Sequence, residues 1–296
     1  MKALKLAAEA IIERLIQAAG LLAVVFVLLI LGFLLRDALP VLKTTSLGAM
    51  LGGHNWYPTS DPPEFGMLPL ILGSLYVTAG ALVIAVPLGL ACAVFISEVA
   101  PQRLREWLKP GVELLAAVPS VIFGFIGLLL IGPWLQEVLN LQSGQFAALG
   151  SLLLAFMAIP TIVSVSEDAL RAVPVAFRQN SLALGATEWQ TIVGVTFPAA
   201  RSGVVAAVLL GMGRAIGETM TVLMVTGNAP VIPHGLGGFL HGVSTMTGTI
   251  AAEMGEVAVD SSHYHALFML GLLLLLITLA VNLGADAIIR RTGRMH

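Results

Sequence analysis

The sequence predicts an all-α, polytopic membrane protein with about six transmembrane helices. Two observations carry that reading. Of the 296 residues, 57% are hydrophobic and only 11% are charged, whereas a soluble domain carries roughly 25% charged residues. There is too little polar surface to clothe a water-soluble globule. The apolar residues also fall in six runs, at about 18–35, 68–96, 114–135, 146–165, 203–226 and 266–289. Each is close to the ~20 residues that cross ~30 Å of hydrocarbon.

The first run follows Lys2, Lys5 and Arg14, as the apolar part of a secretory signal would. It is too long for one, and it ends on Arg36-Asp37 rather than on a small-residue cleavage site, so it reads as a retained membrane helix. The second, third and fourth runs contain Pro87, Pro119 and Pro160. Membrane helices tolerate these because neighbours re-satisfy the freed backbone groups. Between the first two runs, residues 41–67 are rich in Gly, Pro, Asn and Trp. Residues 227–265, before the last run, carry apolar patches of their own and have room for a short helix or a re-entrant piece. Loops this long are often functional. These two read equally as plain connectors or as contacts for a partner outside the cell.

Positive charge sets the orientation. With the N-terminus in the cytoplasm, twelve of the fifteen Lys and Arg residues lie inside: Lys2, Lys5, Arg14, Arg103, Arg105, Lys109, Arg171, Arg178, Arg201, Arg290, Arg291 and Arg294. Arg36 and Lys43 lie outside, and Arg214 falls within the fifth run. Both termini are therefore expected in the cytoplasm of a multi-pass inner-membrane protein. The chain reads as one membrane domain, 1–296, with an N-terminal helix at 18–35 and a core at about 65–290.

Several classes are set aside. No basic, aromatic-interleaved patch suits nucleic acid. No G-x-x-x-x-G-K-[ST] loop is present, so any ATP must be bound by another chain. The single cysteine, Cys92, precludes an intrachain disulfide. His54, His234, His241, His263 and His265 fall in the two loops without a cysteine nearby, and no metal site or other cofactor is expected of them. Glu253, Glu256 and Asp260 read as a solvated loop face or as partner contacts. No nucleophile-base-acid set suggests catalysis.

Residues 172–198 are the most informative loop. Glu167 and Arg171 suit an i, i+4 ion pair at the end of the fourth span. Pro174 ends that helix and can begin the next. A short helix over 175–184 follows, carrying Arg178, Gln179 and Asn180 beside Ala176, Leu182 and Ala183, and Gly185 is placed to end it. Thr187 and Gln190 form a T-x-x-Q capping box for a second helix over 188–197, which Pro198 interrupts.

The fifth run holds the chemical centre, Gly213-Arg214-Ala215-Ile216-Gly217-Glu218-Thr219. A charge at mid-helix costs roughly 2.5–3.5 kcal/mol on insertion scales, so Arg214 is expected to face a bundle interior or a watered path. Glu218 at i+4 would share its face and pair with it. Gly213 and Gly217 form a G-x-x-x-G pattern for close helix packing. A guanidinium presents a planar fork of donors to phosphate-like oxyanions. Two readings of Arg214–Glu218 stand: a substrate pathway, or a buried ion pair that fixes helix packing.

The run Gln179-Asn180-Ser181-Leu182-Ala183-Leu184-Gly185-Ala186-Thr187, with Val195, Phe197 and Pro198 downstream, resembles the EAA loop of bacterial ABC importer permeases. Gly185 and Pro198 stand at the family's glycine and proline. Val195 and Phe197 replace its I and L, and Gln179, Asn180 and Ser181 replace the E-A-A triplet. The resemblance implies that the loop docks on an ATPase subunit and transmits its closure. The Arg214 run, continuing to Met224-Val225-Thr226-Gly227-Asn228, resembles PstC-type phosphate permeases. So do Phe65-Gly66-Met67-Leu68-Pro69-Leu70, leading to Pro87-Leu88-Gly89, and the stretch from Lys109-Pro110-Gly111 to Phe123-Gly124.

That family implies the MetI-like permease fold and import of inorganic phosphate by alternating access. It implies Arg214 and Glu218 on the path, and a second, PstA-like permease. A PstB-like ATPase dimer and a periplasmic phosphate-binding protein complete the set of partners. The competing classes are a permease for another oxyanion, an ion-coupled secondary transporter using Glu218, and an intramembrane enzyme.

Overall fold

The computed structural model describes residues 2–293; Arg294, in the C-terminal basic cluster, lies outside them. Helix α1 (Lys2–Ala38) runs into a 3-10 turn (Leu39–Lys43), and α2 (Leu47–Gly52) follows. A two-residue hairpin, β1 (Trp56–Tyr57) and β2 (Glu64–Phe65), sets Trp56 opposite Phe65. Next come α3 (Leu68–Val94) with a π turn over Phe95–Val99, and α4 (Gln102–Ala116). Then α5 (Ser120–Ile126), a π turn and α6 (Gly132–Leu139) form one continuous span. Helix α7 (Ala147–Arg171) is followed by α8 (Val175–Ala183), α9 (Glu188–Thr191), a π turn and α10 (Phe197–Ala199). Helices α11 (Arg201–Gly217), α12 (Met220–Val225), α13 (Met246–Glu253) and α14 (Ser262–Gly293) complete the chain.

Among the described residues, five stretches are long and apolar enough to cross a membrane: Ile12–Lys43, Leu68–Val99, Ser120–Leu139, Ala147–Arg171 and Ser262–Gly284. The sixth is a bent pair, Glu188–Ala199 and Arg201–Gly217, at 72°. The bundle is centred on α7, whose most apolar window is 61% buried, against 0% for α1. Alanines bring α7 close to α3: Ala155 and Ala158, with Ile162, pack with Val77, Ala81 and Ala85. Helix α1 leans on α14 from outside, with Phe33 edge-on to Phe268 at 5.5 Å. A second core, including Met50, Trp56, Phe65, Met67, Met246 and Leu267, ties the β hairpin and α13 to α14.

Two spans differ from the sequence expectation. The apolar run predicted at 114–135 is divided between two elements, because α4 stops at Ala116 and Pro119 begins the span proper as the cap of α5. Proline keeps Val118 out of the α region and so breaks the run. The run predicted at 203–226 is broken at Glu218, which is extended at φ −69° and ψ 131°. Gly217, with no Cβ, ends α11 at low cost there. The loop over 227–265 does contain a helix, α13, which reaches back to the Glu218 break through Thr247.

The bundle has a basic end, where α3, α7 and α8 meet around Arg105, Lys109, Arg171 and Arg178. The β hairpin and α13 lie at the far end.

Candidate functional site

Two chain breaks face each other beside α7. One is the corner between α4 and α5; the other is the corner between α11 and α12. The Thr221 hydroxyl donates to the Ser120 carbonyl at 3.0 Å across them. Gly124 makes this approach possible: a Cβ there would meet Met224 Sδ at 2.8 Å and Thr221 Cα at 3.2 Å. Irregular backbone at membrane depth must be satisfied by protein or line a cavity. Glu218 meets that demand, since its carbonyl accepts from Thr247 Oγ1 at 2.9 Å and its carboxylate accepts from the Thr221 amide at 3.2 Å.

Arg214 sits in the last turn of α11, between these corners. Its Nη1 donates to Thr161 Oγ1 at 3.2 Å and its Nη2 to the Ala116 carbonyl at 3.3 Å. The expected Arg214–Glu218 pair is not made. The break turns residue 218 off the i+4 face, and its carboxylate caps α12 instead. Among the described residues, no acidic group lies within ion-pair distance of Arg214. Arg214 is exposed in this chain rather than enclosed by it, and Glu218 is half-buried. Beyond Glu218, towards the far end, a void of about 10 Å³ is lined by Ser74, Thr78, Glu218, Thr245 and Thr247 among others.

The G-x-x-x-G pair does not pack as the sequence predicts within this chain. A Cβ on Gly217 would meet nothing within 4 Å, and one on Gly213 would only touch Asn282 at 4.0 Å. The close approach of α11 to α7 is made instead at Gly203, where a Cβ would meet Ala169 Cβ, and at Gly211, where one would meet Ile162 Cγ1 at 2.6 Å.

Sequence reasoning missed Thr161, Thr221, Thr247 and the Ala116 carbonyl. Hydroxyls in membrane helices usually serve packing, and no local pattern distinguishes these. Pro119 and the Gly217–Glu218–Thr219 step were the available signals for the two corners.

At the basic end, α8, the Gly185 turn and α9 build the hairpin. Gly185 takes φ +86°. The Ala186 amide donates to Ser181 O and the Gly185 amide to Leu182 O, the paired bonds of a Schellman ending. Thr187 and Gln190 form the capping box. Ser181 shares a 2.9 Å hydroxyl contact with Thr191, so the two arms are pinned together. Pro198 sits at the start of α10, just before the 72° bend. Gln179, Asn180, Leu182, Ala183 and Ala186 are exposed or half-buried, and Leu184 at the tip is 90% exposed.

Ion pairs fix the hairpin to the bundle. Arg178 reaches Glu98 at 2.6 Å and the Leu170 carbonyl at 2.9 Å. Glu167, buried in α7, accepts from Lys109 at 2.7 Å and from Arg171 at 3.1 Å. Lys109 also reaches Asp168 at 2.9 Å. Its ammonium titrates above the ordinary lysine range, first because of the hydrogen bond to Glu167 and then because of that to Asp168.

At the far end, Glu253 is tied into the fold rather than solvated: it accepts from Trp56 Nε1 at 3.1 Å and contacts His263 Nε2 at 2.7 Å. Among the described residues, no three His, Cys, Asp or Glu side chains are grouped to hold a metal ion.

Residues 85–294 match the family described as "Binding-protein-dependent transport system inner membrane component". The chain is 40% identical over 246 residues to the probable ABC transporter permease protein YqgH of Bacillus subtilis, covering 83% of this chain and 76% of that one. It is 36% identical over 251 residues to the phosphate transport system permease protein PstC 1 of Mycobacterium bovis, covering 78% and 74%. Its fold is similar to a chain of the MetNI methionine ABC transporter in an inward-facing conformation. The TM-score is 0.60 at 20% identity, over 79% of this chain and 99% of that one.

Proposed function

From the premise that the chain belongs to the binding-protein-dependent inner-membrane transport components, and among them to the PstC-type permeases, we propose that it is half of the conduit of an ATP-driven phosphate importer. The chain is a transport subunit with the MetI-like permease fold. Inorganic phosphate is the cargo, carried from the periplasm to the cytoplasm with both termini of the chain inside. Arg214 and Glu218 border the path, within a single permease domain.

The observation that carries this reading is the state of Arg214. Its guanidinium is held in the last turn of α11 by a hydroxyl and a carbonyl, both neutral, so its charge is left for an oxyanion. Its face is open in the single chain. A second, PstA-like permease would close that face and cover Gly217, turning an exposed groove into a conduit. The small void beyond Glu218 has room for about one water and none for a phosphate.

The hairpin supports the coupling role. Its protruding Leu184, with Gln179, Asn180, Ser181 and Gly185, would enter a PstB-like ATPase dimer. Closure of that dimer on ATP would swing α8–α10 and so the bend into α11. A periplasmic phosphate-binding protein would load the far end.

The test uses the four-component complex in proteoliposomes. Arg214→Gln is expected to abolish phosphate uptake while the complex still co-purifies. Wild-type uptake by that variant rejects the pathway assignment.

A further inference from the structure

Thr161 differs from two other threonines of the spans, Thr226 and Thr278. Thr226 and Thr278 turn their hydroxyls back onto their own helices, donating at 2.8 Å to Val222 O and Leu274 O, four residues earlier. That is the ordinary resting state of a threonine in a membrane helix. Thr161 does not do this. It lies in mid-α7, just after Pro160, half-buried, and its oxygen accepts from Arg214 Nη1 at 3.2 Å.

A hydroxyl has one proton to donate as well as lone pairs to accept with. The Thr161 oxygen is used as an acceptor, and among the described residues its proton goes to no acceptor. That proton remains available, beside the fork of Arg214, to an anion that docks there. The Ala116 carbonyl fixes the other arm of the same guanidinium, so the fork is held in one orientation by two neutral groups on different elements.

We propose that Thr161 is a positioning residue and a direct contact of the oxyanion path: it orients the Arg214 fork and donates its own hydrogen bond to a tetrahedral oxyanion lodged on it. This rests on the reading of Arg214 as a pathway residue. The adjacent carbonyl adds an acceptor, which suits an oxyanion still carrying a proton. Hydrogen phosphate has one and sulfate has none.

The test compares Thr161→Val, which keeps the shape and removes the hydroxyl, with Thr161→Ser, which keeps the hydroxyl. Both are assayed in the assembled transporter in proteoliposomes, with phosphate-loaded binding protein titrated to saturation. A hydrogen bond to a charged group corresponds to roughly a 10- to 100-fold effect. Thr161→Val is expected to lower the maximal uptake rate by about that factor. The binding-protein concentration at half-maximal rate should not move, because docking occurs elsewhere. Thr161→Ser is expected to restore the rate to within about threefold of wild type. Should the valine variant not assemble, Thr161→Ala replaces it with the same expected loss.

Undiminished uptake by the hydroxyl-free variant overturns the proposal, and so does a loss that serine fails to restore. Arg214→Gln in the same preparation separates the two levels. If it abolishes uptake while the hydroxyl-free variant transports normally, Thr161 is excluded and the pathway reading stands. If Arg214→Gln transports normally too, both fall.

Discussion

Gly185 gives a perturbation whose cost follows from backbone geometry alone. Its φ is +86°, in the left-handed half of conformational space, and a Cβ built there meets nothing within 4 Å. Replacing Gly185 by Ala therefore creates no clash and removes no side-chain contact. What remains is the steric penalty of an L-residue in a left-handed conformation, about 1–2 kcal/mol. The strain falls on the two amides that close the turn, Gly185 to Leu182 O and Ala186 to Ser181 O. Amide exchange reads such local opening directly. In Gly185→Ala those two amides should exchange about 5- to 30-fold faster than in wild type, with the amides of α7 unchanged. Gly185→Asn should show a smaller rise, since Asn tolerates this region better. In the assembled transporter, the loosened hairpin should let less phosphate move for each ATP hydrolysed by the partner ATPase. Exchange at wild-type rates in the alanine variant would refute the account of the turn.

Three further outcomes are expected. Glu167→Gln removes a buried carboxylate that holds Lys109 and Arg171; those partners are 31% and 48% exposed and regain water. The cost should be about 2 kcal/mol rather than that of a fully buried pair, read as a lowered midpoint of thermal unfolding in detergent; no change would remove the clamp from the account. Gly211→Ala must push Ile162 away and should destabilise by roughly 1–3 kcal/mol, whereas Gly217→Ala, facing open space, should leave the isolated chain as stable as before. Equal losses in the two would contradict the packing described for α11. The Lys109 pKa is raised above 10.5, so its contribution is complete below pH 10.5 and is lost only as pH rises through the folded-state value. Thermal stability relative to Lys109→Met should keep a constant advantage from neutral pH to about 10 and shrink above it.

What was legible in the sequence was what is decided locally. Pro174, Gly185, Thr187 with Gln190, and Pro198 each act over a few residues, and the structure has the predicted helix, turn and capped helix there. The Glu167–Arg171 pair is likewise an i, i+4 contact within one unbroken helix. Arg214 and Glu218 were picked out as the polar centre, but their pairing presupposed a continuous fifth helix. The break at Glu218 is held by groups distant in sequence, Thr247 on α13 and Ser120 at the start of α5, and no local pattern announces them. The third span was misplaced for a related reason. Leu114 and Leu115 continue the apolar run in composition, yet they belong to an amphipathic helix on the other side of Pro119. Thr161 was invisible because its distinction is a contact with a side chain distant in sequence, Arg214.

The bracing of α8 has a mechanical consequence. Arg178 bolts it to Glu98 near the end of α3 and to the last turn of α7, while Glu167 gathers α4 and α7 a turn away. A load applied at Leu184 would therefore pass through a hairpin pinned by Ser181–Thr191 and a joint braced by ion pairs. Along that line lies the 72° kink before Arg201, so displacement at the tip would emerge as rotation of α11 and, with it, of the guanidinium it carries.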